Sequence, residues 1–293
     1  MIYDVRHVTI YKYEVSVAAA NVVLRVTPRD DDGQHRVDQR LVISPEPSQL
    51  SRSRDFYGND VAIATIETAH VELRVDASAR VEVDRGAGPA PGAGPAWERV
   101  VEAALSVRKL GPEAPAQFLF PSPRIAIVGE VTDYARASFT AARSVVDAAR
   151  ELMRRIRKDF VYDPTATDIT TPVPEAFAAR RGVCQDFAHI MIAGLRGLGL
   201  PAAYVSGYIR TIPPPGKPRL QGADATHAWV SVWCGDEIGW LGLDPTNAID
   251  IGNDHIRVAV GRDFSDVSPI YGVFVGSGDQ ELDVKVDVIA VQG

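Results

Sequence analysis

Hydrophobic and polar residues alternate along the first 85 positions, which is the pattern of strands with one buried face. In the segment VELRVDA, Val71, Leu73 and Val75 fall on one side of such a strand, and charged residues fall on the other. Segments rich in turn-forming residues, such as TPRDDDGQ, SPEPS and FYGND, separate similar runs. The pattern predicts a small antiparallel β-sandwich over residues 1–85.

The alternation ends in a segment dominated by Gly, Pro and Ala, RGAGPAPGAGPAW at residues 85–97, which favours an irregular linker. Two further proline-bearing pieces, LGPEAP and FPSPRI, extend the predicted irregular connection to about residue 128. The chain therefore divides into three predicted parts. They are an N-terminal β domain at 1–85, a connecting segment at 86–128, and a catalytic core with C-terminal strands at 129–293.

Helical spacing replaces the alternation after the linker. Ser144, followed three positions later by Asp147, resembles a capping box at a helix start. PEAFAARRG predicts a short helix that has proline at its first position and ends at Gly182. A third helix is predicted from Cys184 to the GLP sequence at 199–201. The positions that recur at helical spacing in the first and third of these helices are Ala148, Ala149, Leu152, Met153 and Ile156, then Phe187, Ile190, Met191, Gly194, Leu195 and Leu198.

Strand-like segments return after the third predicted helix. They are AAYVSGYIRTI, HAWVSVWC, IGWLGLDPT, IRVAVGR, YGVFVGSG and LDVKVDVIAV. Helices that are followed by a run of strands, after a separate β region, predict an α+β fold.

Composition and charge narrow the classes of function. The 293-residue chain has 46% hydrophobic and 24% charged residues, which is an ordinary balance for a globular protein. Its net charge is -7, and because phosphate binding needs a basic face, nucleic acid is not expected as a partner. The chain has no run of 18 apolar residues, so no membrane span is expected. The N-terminal segment alternates like a strand and lacks the pattern of a signal peptide. A cytoplasmic location is the simplest expectation.

One cysteine lies where a reactive thiol is expected. Cys184 follows Gly182 and Val183 at the start of the third predicted helix. The free N–H groups and partial positive charge of a helix N-terminus stabilise a thiolate, and they can also bind a developing oxyanion. A buried structural cysteine is the alternative. Asp186 in the first turn suits the helix dipole but would oppose the thiolate at close range, and the sequence leaves that balance open.

A nucleophilic cysteine needs a base, and His227 is the candidate that the pattern favours among six histidines. It opens the predicted strand HAWVSVWC, which the turn GDEIG connects to the predicted strand WLGLDPT. Alternation places His227 and Asp244 on one face if the two strands form a hairpin. With Cys184 they would form the thiol version of a catalytic triad. Taken alone, Asp244 would be interpreted as a turn residue before proline.

The other histidines and the second cysteine are interpreted as solvated or structural. His70 falls on the polar face of its predicted strand, and His189, five residues after Cys184, turns away from it on a helix. No C-x-x-C pair is present, a disulfide between the two cysteines has no support, and no motif predicts a metal ion or a cofactor. The residues set aside in this way are His7, His35, His70, His189, His255 and Cys234.

Three blocks resemble the transglutaminase-like superfamily: RRGVCQDFAHIMIAGLRGLGLPAAYVSGY, DATHAWVSVW and GWLGLDPTN. The segments VRHVTIYKYEV, LRVTPRDDDGQ and DFYGND are similar to the β region that precedes the core in the bacterial transglutaminase-like cysteine peptidase group. The resemblance implies a papain-like core, in which a helix carrying the cysteine packs against an antiparallel sheet carrying the histidine and the aspartate. Carried over by position, it implies Cys184 as the nucleophile, His227 as base and acid, and Asp244 as the orienting carboxylate.

The resemblance implies an enzyme that acts on a peptide or protein amide through an acyl-thioester. Hydrolysis is the first expectation, and acyl transfer to an amine or a non-catalytic peptide-binding or assembly module are the alternatives. Animal cross-linking transglutaminases have Gln before the cysteine and Trp after it, where this chain has Val183 and Gln185, and this departure favours hydrolysis. Trp229, Trp233 and Trp240 are interpreted as core residues rather than as the lining of an acyl groove. The oligomeric state has no signal in the sequence.

Overall fold

The computed structural model describes residues 1–108, 110–211 and 226–291, so residue 212, at the end of one predicted strand, lies outside the described residues. None of the helices in these ranges is both long enough and apolar enough to cross a membrane. The helices are α1 (Trp97–Ser106), α2 (Gly129–Arg136), α3 (Val145–Asp159), α4 (Val173–Ala179), α5 (Cys184–Gly197) and α6 (Phe264–Val267), with a 3₁₀ turn at Pro115–Phe118. The strands are β1 (Ile2–Val17), β2 (Ala19–Leu24), β3 (Gln34–Ser44), β4 (Gln49–Arg54), β5 (Asp60–Ile66), β6 (His70–Val83), β7 (Val161–Tyr162), β8 (Arg181–Gly182), β9 (Ala202–Ile209), β10 (Thr226–Trp233), β11 (Trp240–Asp244), β12 (Ile249–Asp250), β13 (His255–Gly261), β14 (Ile270–Val275) and β15 (Gln280–Val291).

Two four-stranded antiparallel sheets form the N-terminal part of the molecule. Their strand orders are β15-β1-β6-β3 and β14-β2-β5-β4. Apolar side chains from both sheets share one buried cluster, which includes Val22 and Ile66 from one sheet and Leu73 and Val75 from the other. The alternating pattern therefore builds the predicted β-sandwich, because each sheet buries one face against the other.

The beginning of β6 departs from the predicted alternation. Val71 is exposed, whereas His70 is buried. The pairing of β1 with β6 shifts register after Lys12, as it does at a β-bulge, and this shift changes which side chains face inward. The ring of His70 therefore packs against Tyr13, with ring centroids 5.6 Å apart. The prediction that His70 lies on a polar face is wrong for this reason.

The last two strands return to the N-terminal sheets. β15 runs antiparallel to β1 along most of its length, and β14 runs antiparallel to β2. With β6 on its other side, β1 has backbone partners at both edges, which satisfies its N–H and C=O groups. The sequence predicts these strands as part of the core at 129–293, because alternation identifies a strand but not its partner, whereas the structure pairs them with strands of the sandwich. The domain boundaries at residues 85 and 128 stay predictions.

The connection between the sandwich and the core contains a helix that the sequence analysis does not predict. Residues 84–95 contain no helix or strand, as their Gly and Pro content indicates. α1 then begins at Trp97, inside the segment that was expected to be irregular as far as residue 128. Its Val100 and Ala104, one helical turn apart, are buried in the core. The helix-forming residues of α1 and their amphipathic spacing outweigh the effect of the prolines on either side.

The core is a helix layer on a five-stranded antiparallel sheet with the order β12-β11-β10-β9-β13. α5 packs against β9 and β10, and α2, α3 and α4 pack against α5. Ser144 caps α3 as predicted, because its hydroxyl accepts a hydrogen bond from the Asp147 N–H at 3.4 Å. The arrangement confirms the predicted α+β class and packs α5 against the inner strands β9 and β10.

Candidate active site

Cys184 is the first residue of α5 and lines a cleft. Asp186 holds the turn that leads into the helix: its Oδ2 accepts hydrogen bonds from the Val183 N–H at 2.8 Å and from the Thr167 hydroxyl at 2.6 Å. Gly182 is needed beside it, because a Cβ there would collide with the Asp186 side chain. The N–H groups of the first helical turn, including that of Cys184, have no acceptor within the helix.

β10 and β11 form the hairpin that the sequence predicts. In the register of this hairpin Ser231 pairs with Gly242, so His227 and Asp244 lie on one face of the sheet. His227 Nε2 lies 2.8 Å from Asp244 Oδ2. The imidazole and the carboxylate, 17 positions apart in the chain, are therefore in direct contact.

Asp244 is fully buried and accepts hydrogen bonds at both oxygens. Oδ1 accepts from the backbone N–H groups of Thr246 at 2.9 Å and Asn247 at 3.2 Å. Oδ2 accepts from the Asn247 side-chain amide at 2.7 Å, besides its contacts with His227 and with His255 at 3.3 Å. Burial alone would raise the pKa of this carboxyl group, but the bonds from the two histidines hold it below its ordinary value. The ionised carboxylate therefore receives hydrogen bonds from both imidazole rings.

His255, interpreted from its sequence context as solvated or structural, is a member of this network. Its side chain is buried at the start of β13. Its Nδ1 accepts a hydrogen bond from the Gly252 N–H at 3.4 Å, which leaves Nε2–H to donate to Asp244. Burial lowers the pKa of the ring, so the ring is neutral at neutral pH, and its bond with Asp244 only partly opposes that effect.

Gly207 is the signal in the sequence that points to this close packing. It lies in the middle of β9, between β10 and β13, and pairs with His227. A Cβ at Gly207 would collide with the Trp229 ring and with the Ile256 carbonyl oxygen. The Trp229 ring occupies that space and lies 5.4 Å from the His255 ring, centroid to centroid. A glycine inside a strand often marks such an approach.

Cys184 and His227 line the same cleft, and the cysteine lies close enough to the ring to raise the pKa of the imidazole. Because Nε2 faces Asp244, Nδ1 is the ring nitrogen that is left for the sulfur. Burial lowers the pKa of His227, but the hydrogen bonds with Asp244 and Cys184 outweigh it and raise the pKa to about 10. The structure thus brings the three residues predicted for the site together, and the raised pKa of His227 favours the protonated imidazole at neutral pH.

Comparison with known proteins agrees with this geometry. Residues 132–245 match the transglutaminase-like superfamily, and residues 3–82 match the bacterial transglutaminase-like N-terminal region. An uncharacterized protein of Mycobacterium tuberculosis is 41% identical over 301 residues, which cover 99% of this chain and 93% of the relative. The chain belongs to the transglutaminase-like superfamily.

Two other similarities concern the fold and the activities found among transglutaminase-like proteins. A candidate cysteine protease from Cytophaga hutchinsonii, known from its crystal structure, matches with a TM-score of 0.75 at 20% identity over 100% of this chain and 92% of its own. This match confirms the papain-like fold predicted for the core. A protein-glutamine gamma-glutamyltransferase of Pseudomonas aeruginosa is 32% identical over 120 residues, which are 36% of this chain and 18% of the transferase. Transglutaminase-like proteins are usually enzymes, either cysteine proteases or transglutaminases.

The cleft of this transglutaminase-like chain has a volume of about 450 Å³ and lies between the core and the β-sandwich. The three tryptophans interpreted as core residues do not line it, and Trp229 and Trp233 are buried. The core contributes Cys184, Gln185 and His227 to its lining, and the sandwich contributes His7, Thr9 and Tyr11 from β1 and Leu282 and Val284 from β15.

Other titratable groups have structural contacts. His189 Nε2 accepts a hydrogen bond from the Phe264 N–H at 3.3 Å, and burial lowers the pKa of its ring to about 4. Both cysteines are free, but Cys234 is buried, and burial raises the pKa of its thiol to about 12. His35 is exposed, whereas His7 is buried at the cleft. Cys234 is therefore almost wholly protonated at neutral pH, which makes it a poor nucleophile.

His227, Asp244 and His255 also have ligand atoms within 4.8 Å of one another, which is close enough to hold a metal ion. Two imidazoles and a carboxylate suit a transition metal. The hydrogen bonds from both rings to the carboxylate already account for their approach. The absence of a metal from the chemistry of this site stays a prediction.

Proposed function

We propose that this chain hydrolyses amide bonds of peptides or proteins through Cys184, His227 and Asp244, with an acyl-thioester intermediate. The observation that carries the proposal is the His227–Asp244 pair, 2.8 Å apart, in the same cleft as Cys184 at the N-terminus of α5. Acyl transfer by a cysteine requires a nucleophile, a base beside it and a group that orients the base. A cytoplasmic location, expected from the sequence, belongs to the same proposal.

The first half of the proposed reaction moves the acyl group onto sulfur. The Cys184 thiolate attacks the carbonyl carbon, and the π electrons of the carbonyl move onto its oxygen. The Cys184 backbone N–H, free at the helix start, donates a hydrogen bond to this oxyanion. Gln185 lines the cleft as a second donor: one side-chain N–H goes to the Ile169 carbonyl at 3.3 Å, and the other serves the substrate.

Proton transfer by His227 completes both halves of the reaction, which are formation and hydrolysis of the acyl-thioester. The imidazolium gives its Nδ1 proton to the leaving nitrogen as the C–N bond breaks, and a pKa of about 10 keeps the ring protonated for this step. The neutral ring then takes a proton from water as the water oxygen attacks the thioester, and the sulfur leaves as a thiolate with release of the acid. Asp244 holds Nε2–H throughout. A positioned acid or base of this kind contributes about 10²- to 10⁴-fold in rate.

Acyl transfer to a primary amine is the second candidate, in which the amine nitrogen replaces water in the attack on the thioester. The similarity to the Pseudomonas aeruginosa transferase supports it. Val183 and Gln185 favour hydrolysis, because they differ from the residues beside the cysteine in animal cross-linking transglutaminases.

The test compares Cys184→Ala with Cys234→Ala, using casein as the substrate and mass spectrometry of the products. Cys184→Ala is expected to lose turnover without a change in melting temperature, and Cys234→Ala is expected to keep turnover. Added glycine ethyl ester distinguishes the two candidates: free carboxyl products indicate hydrolysis, and ester-bearing amides indicate transfer. Turnover by Cys184→Ala would contradict the triad. If the wild type shows no turnover and labels Cys184 no faster than Cys234, the chain acts as a binding module.

A further inference from the structure

The wall of the cleft that the sandwich provides contains an ordered polar chain. On β1, Thr9 Oγ1 lies 3.1 Å from His7 Nε2, and His7 Nδ1 lies 2.9 Å from the Tyr208 hydroxyl of β9. The Tyr208 hydroxyl in turn donates to the Val26 carbonyl oxygen at 3.3 Å. Thr9 and His7 both line the cleft that contains Cys184. The catalytic residues do not use these groups.

The direction of each hydrogen bond in this chain follows from its last member. A carbonyl oxygen only accepts, so the Tyr208 proton goes to Val26, and the Tyr208 oxygen accepts from His7 Nδ1–H. Burial lowers the pKa of His7 to about 4, so its ring is neutral and Nε2 is an acceptor. The Thr9 hydroxyl must then donate to Nε2. The Thr9 oxygen keeps a lone pair as a hydrogen-bond acceptor, and Thr9, only 3% exposed, lines the cleft.

Among the residues that the structure describes, the cleft lining contains no lysine or arginine. Leu282 and Val284 of β15 line the cleft with exposed side chains. Among the lining residues that the structure describes, Asp168 is the one carboxylate, and it accepts hydrogen bonds from the Thr170 N–H and hydroxyl. A neutral, apolar group that also offers an N–H donor therefore matches this wall. A carboxylate would lose its water here without a lysine or arginine partner among the described lining residues, and the His227 ring is already paired with Asp244.

We propose that β1 and β15 form a subsite for a neutral peptide segment: Thr9 Oγ1 accepts a peptide N–H, and an apolar side chain packs against Tyr11, Leu282 and Val284. The proposal rests on the proposed function, since it specifies the substrate that the same cleft takes. It assigns the N-terminal β region a direct part in selecting that substrate.

The test uses thiol alkylation, which reports binding in the cleft without requiring turnover. The probes are the chloromethyl ketones of acetyl-leucine, acetyl-N-methylleucine and acetyl-aspartate; each forms a C–S bond to Cys184 and releases chloride. Iodoacetamide measures the reactivity of the thiol itself. Relative to iodoacetamide, we expect the leucine probe to label the wild type about 10-fold faster than the aspartate probe. N-methylation should slow the leucine probe about 2- to 10-fold, because it removes the N–H.

Matched variants separate the two parts of the subsite. Thr9→Val should slow the leucine probe by the factor that N-methylation causes and abolish the effect of N-methylation, and Thr9→Ser should restore both. Thr65→Val, which removes a hydroxyl from β5 outside the cleft lining, should change neither. Val284→Ser should reduce the preference for leucine over aspartate, and Val273→Ser on β14, exposed and outside the lining, should leave it unchanged.

Equal rates for the leucine and N-methylleucine probes on the wild type would overturn the role of Thr9, even if Thr9→Val failed to fold. Equal rates for leucine and aspartate would overturn the apolar part. The subsite and the proposed function can fail separately. Selective labelling without casein turnover supports the subsite and contradicts the proposed hydrolysis. Casein turnover without selective labelling supports the proposed hydrolysis and contradicts the subsite.

Discussion

His255 lies 3.3 Å from Asp244, on the same carboxylate oxygen that His227 reaches at 2.8 Å. The neutral His255 ring donates through Nε2, because its Nδ1 accepts the Gly252 N–H. Asp244 is therefore held by a donor from β13 as well as by groups near it in the chain. His255 has no place in the proposed reaction steps, so it is a positioning residue that acts through Asp244.

Replacing His255 with Phe should slow the alkylation of Cys184 by iodoacetamide about 10-fold at pH 7, because the buried carboxylate loses a donor. Loss of that donor also raises the pKa of Asp244. The measurement is the second-order labelling rate from pH 4 to 10, followed by intact mass. His70→Phe removes another buried imidazole, remote from the cleft, and should keep the wild-type profile. An unchanged profile for His255→Phe would show that Asp244 does not depend on it.

The central part of this site could be predicted because its determinants are local in the sequence. Two alternating segments and a short turn set the hairpin register, and the register places His227 and Asp244 on one face. Gly182 and the apolar spacing after Cys184 mark the start of α5 in the same way. These signals need only neighbouring residues, since strand and helix periodicities act over a few positions.

The rest of the site depends on pairing between distant segments. His255 reaches Asp244 because β13 pairs with β9, and Thr9 reaches the cleft because the sandwich packs beside the core. The pattern of β15 shows that it is a strand, but its pairing with β1 joins the two ends of the chain. Periodicity identifies a buried face without identifying what covers it, so these contacts could not be predicted from one sequence.

Replacing Asp244 with Asn should move the alkaline limb of the activity profile to lower pH. Burial lowers the pKa of His227, and its bonds with Asp244 and Cys184 raise it to about 10, so loss of the carboxylate charge leaves burial less opposed. The imidazolium should then lose its proton well below pH 10. The check is an NMR titration of the His227 ring together with the labelling rate. A His227 pKa that stays near 10 in Asp244→Asn would contradict the assigned ion pair.

The same raised pKa makes a prediction about stability. Between pH 6.5 and about 10 the folded state binds a proton at His227 that the unfolded state releases, so stability falls as pH rises through this window. The contribution is complete below pH 6.5. In urea unfolding, the difference in free energy between the wild type and His227→Gln should therefore be larger at pH 6 than at pH 10. A difference that grows with pH would have the wrong sign.

Gly207→Ala should disturb the packing beneath His227, because its Cβ would collide with Trp229 and the Ile256 carbonyl oxygen. We expect a loss of about 1–3 kcal/mol in the free energy of unfolding, as for other overpacked sites, and slower labelling of Cys184. Gly129→Ala is the control, since a Cβ there meets nothing within 4 Å. Wild-type stability and labelling in Gly207→Ala would show that the strands accommodate the extra methyl group.

The carboxyl group of Asp186, at the start of α5, predicts the direction in which stability changes with pH. Burial raises the pKa of its carboxyl group, and the bonds from Thr167 and Val183 oppose that rise. The folded state therefore holds the proton more tightly than the unfolded state, and stability falls as pH rises above about 4. Asp186→Asn keeps an oxygen acceptor without the charge, so its stability relative to the wild type should increase from pH 4 to pH 8 in chemical unfolding. Asp186→Ala, without an acceptor, should be less stable than Asp186→Asn by about 1 kcal/mol at both pH values.

Asp163→Asn is the control of opposite sign, because hydrogen bonds from Thr165 lower the pKa of that carboxyl group. If Asp186→Asn loses stability relative to the wild type as pH rises, the carboxylate charge itself stabilises the start of α5.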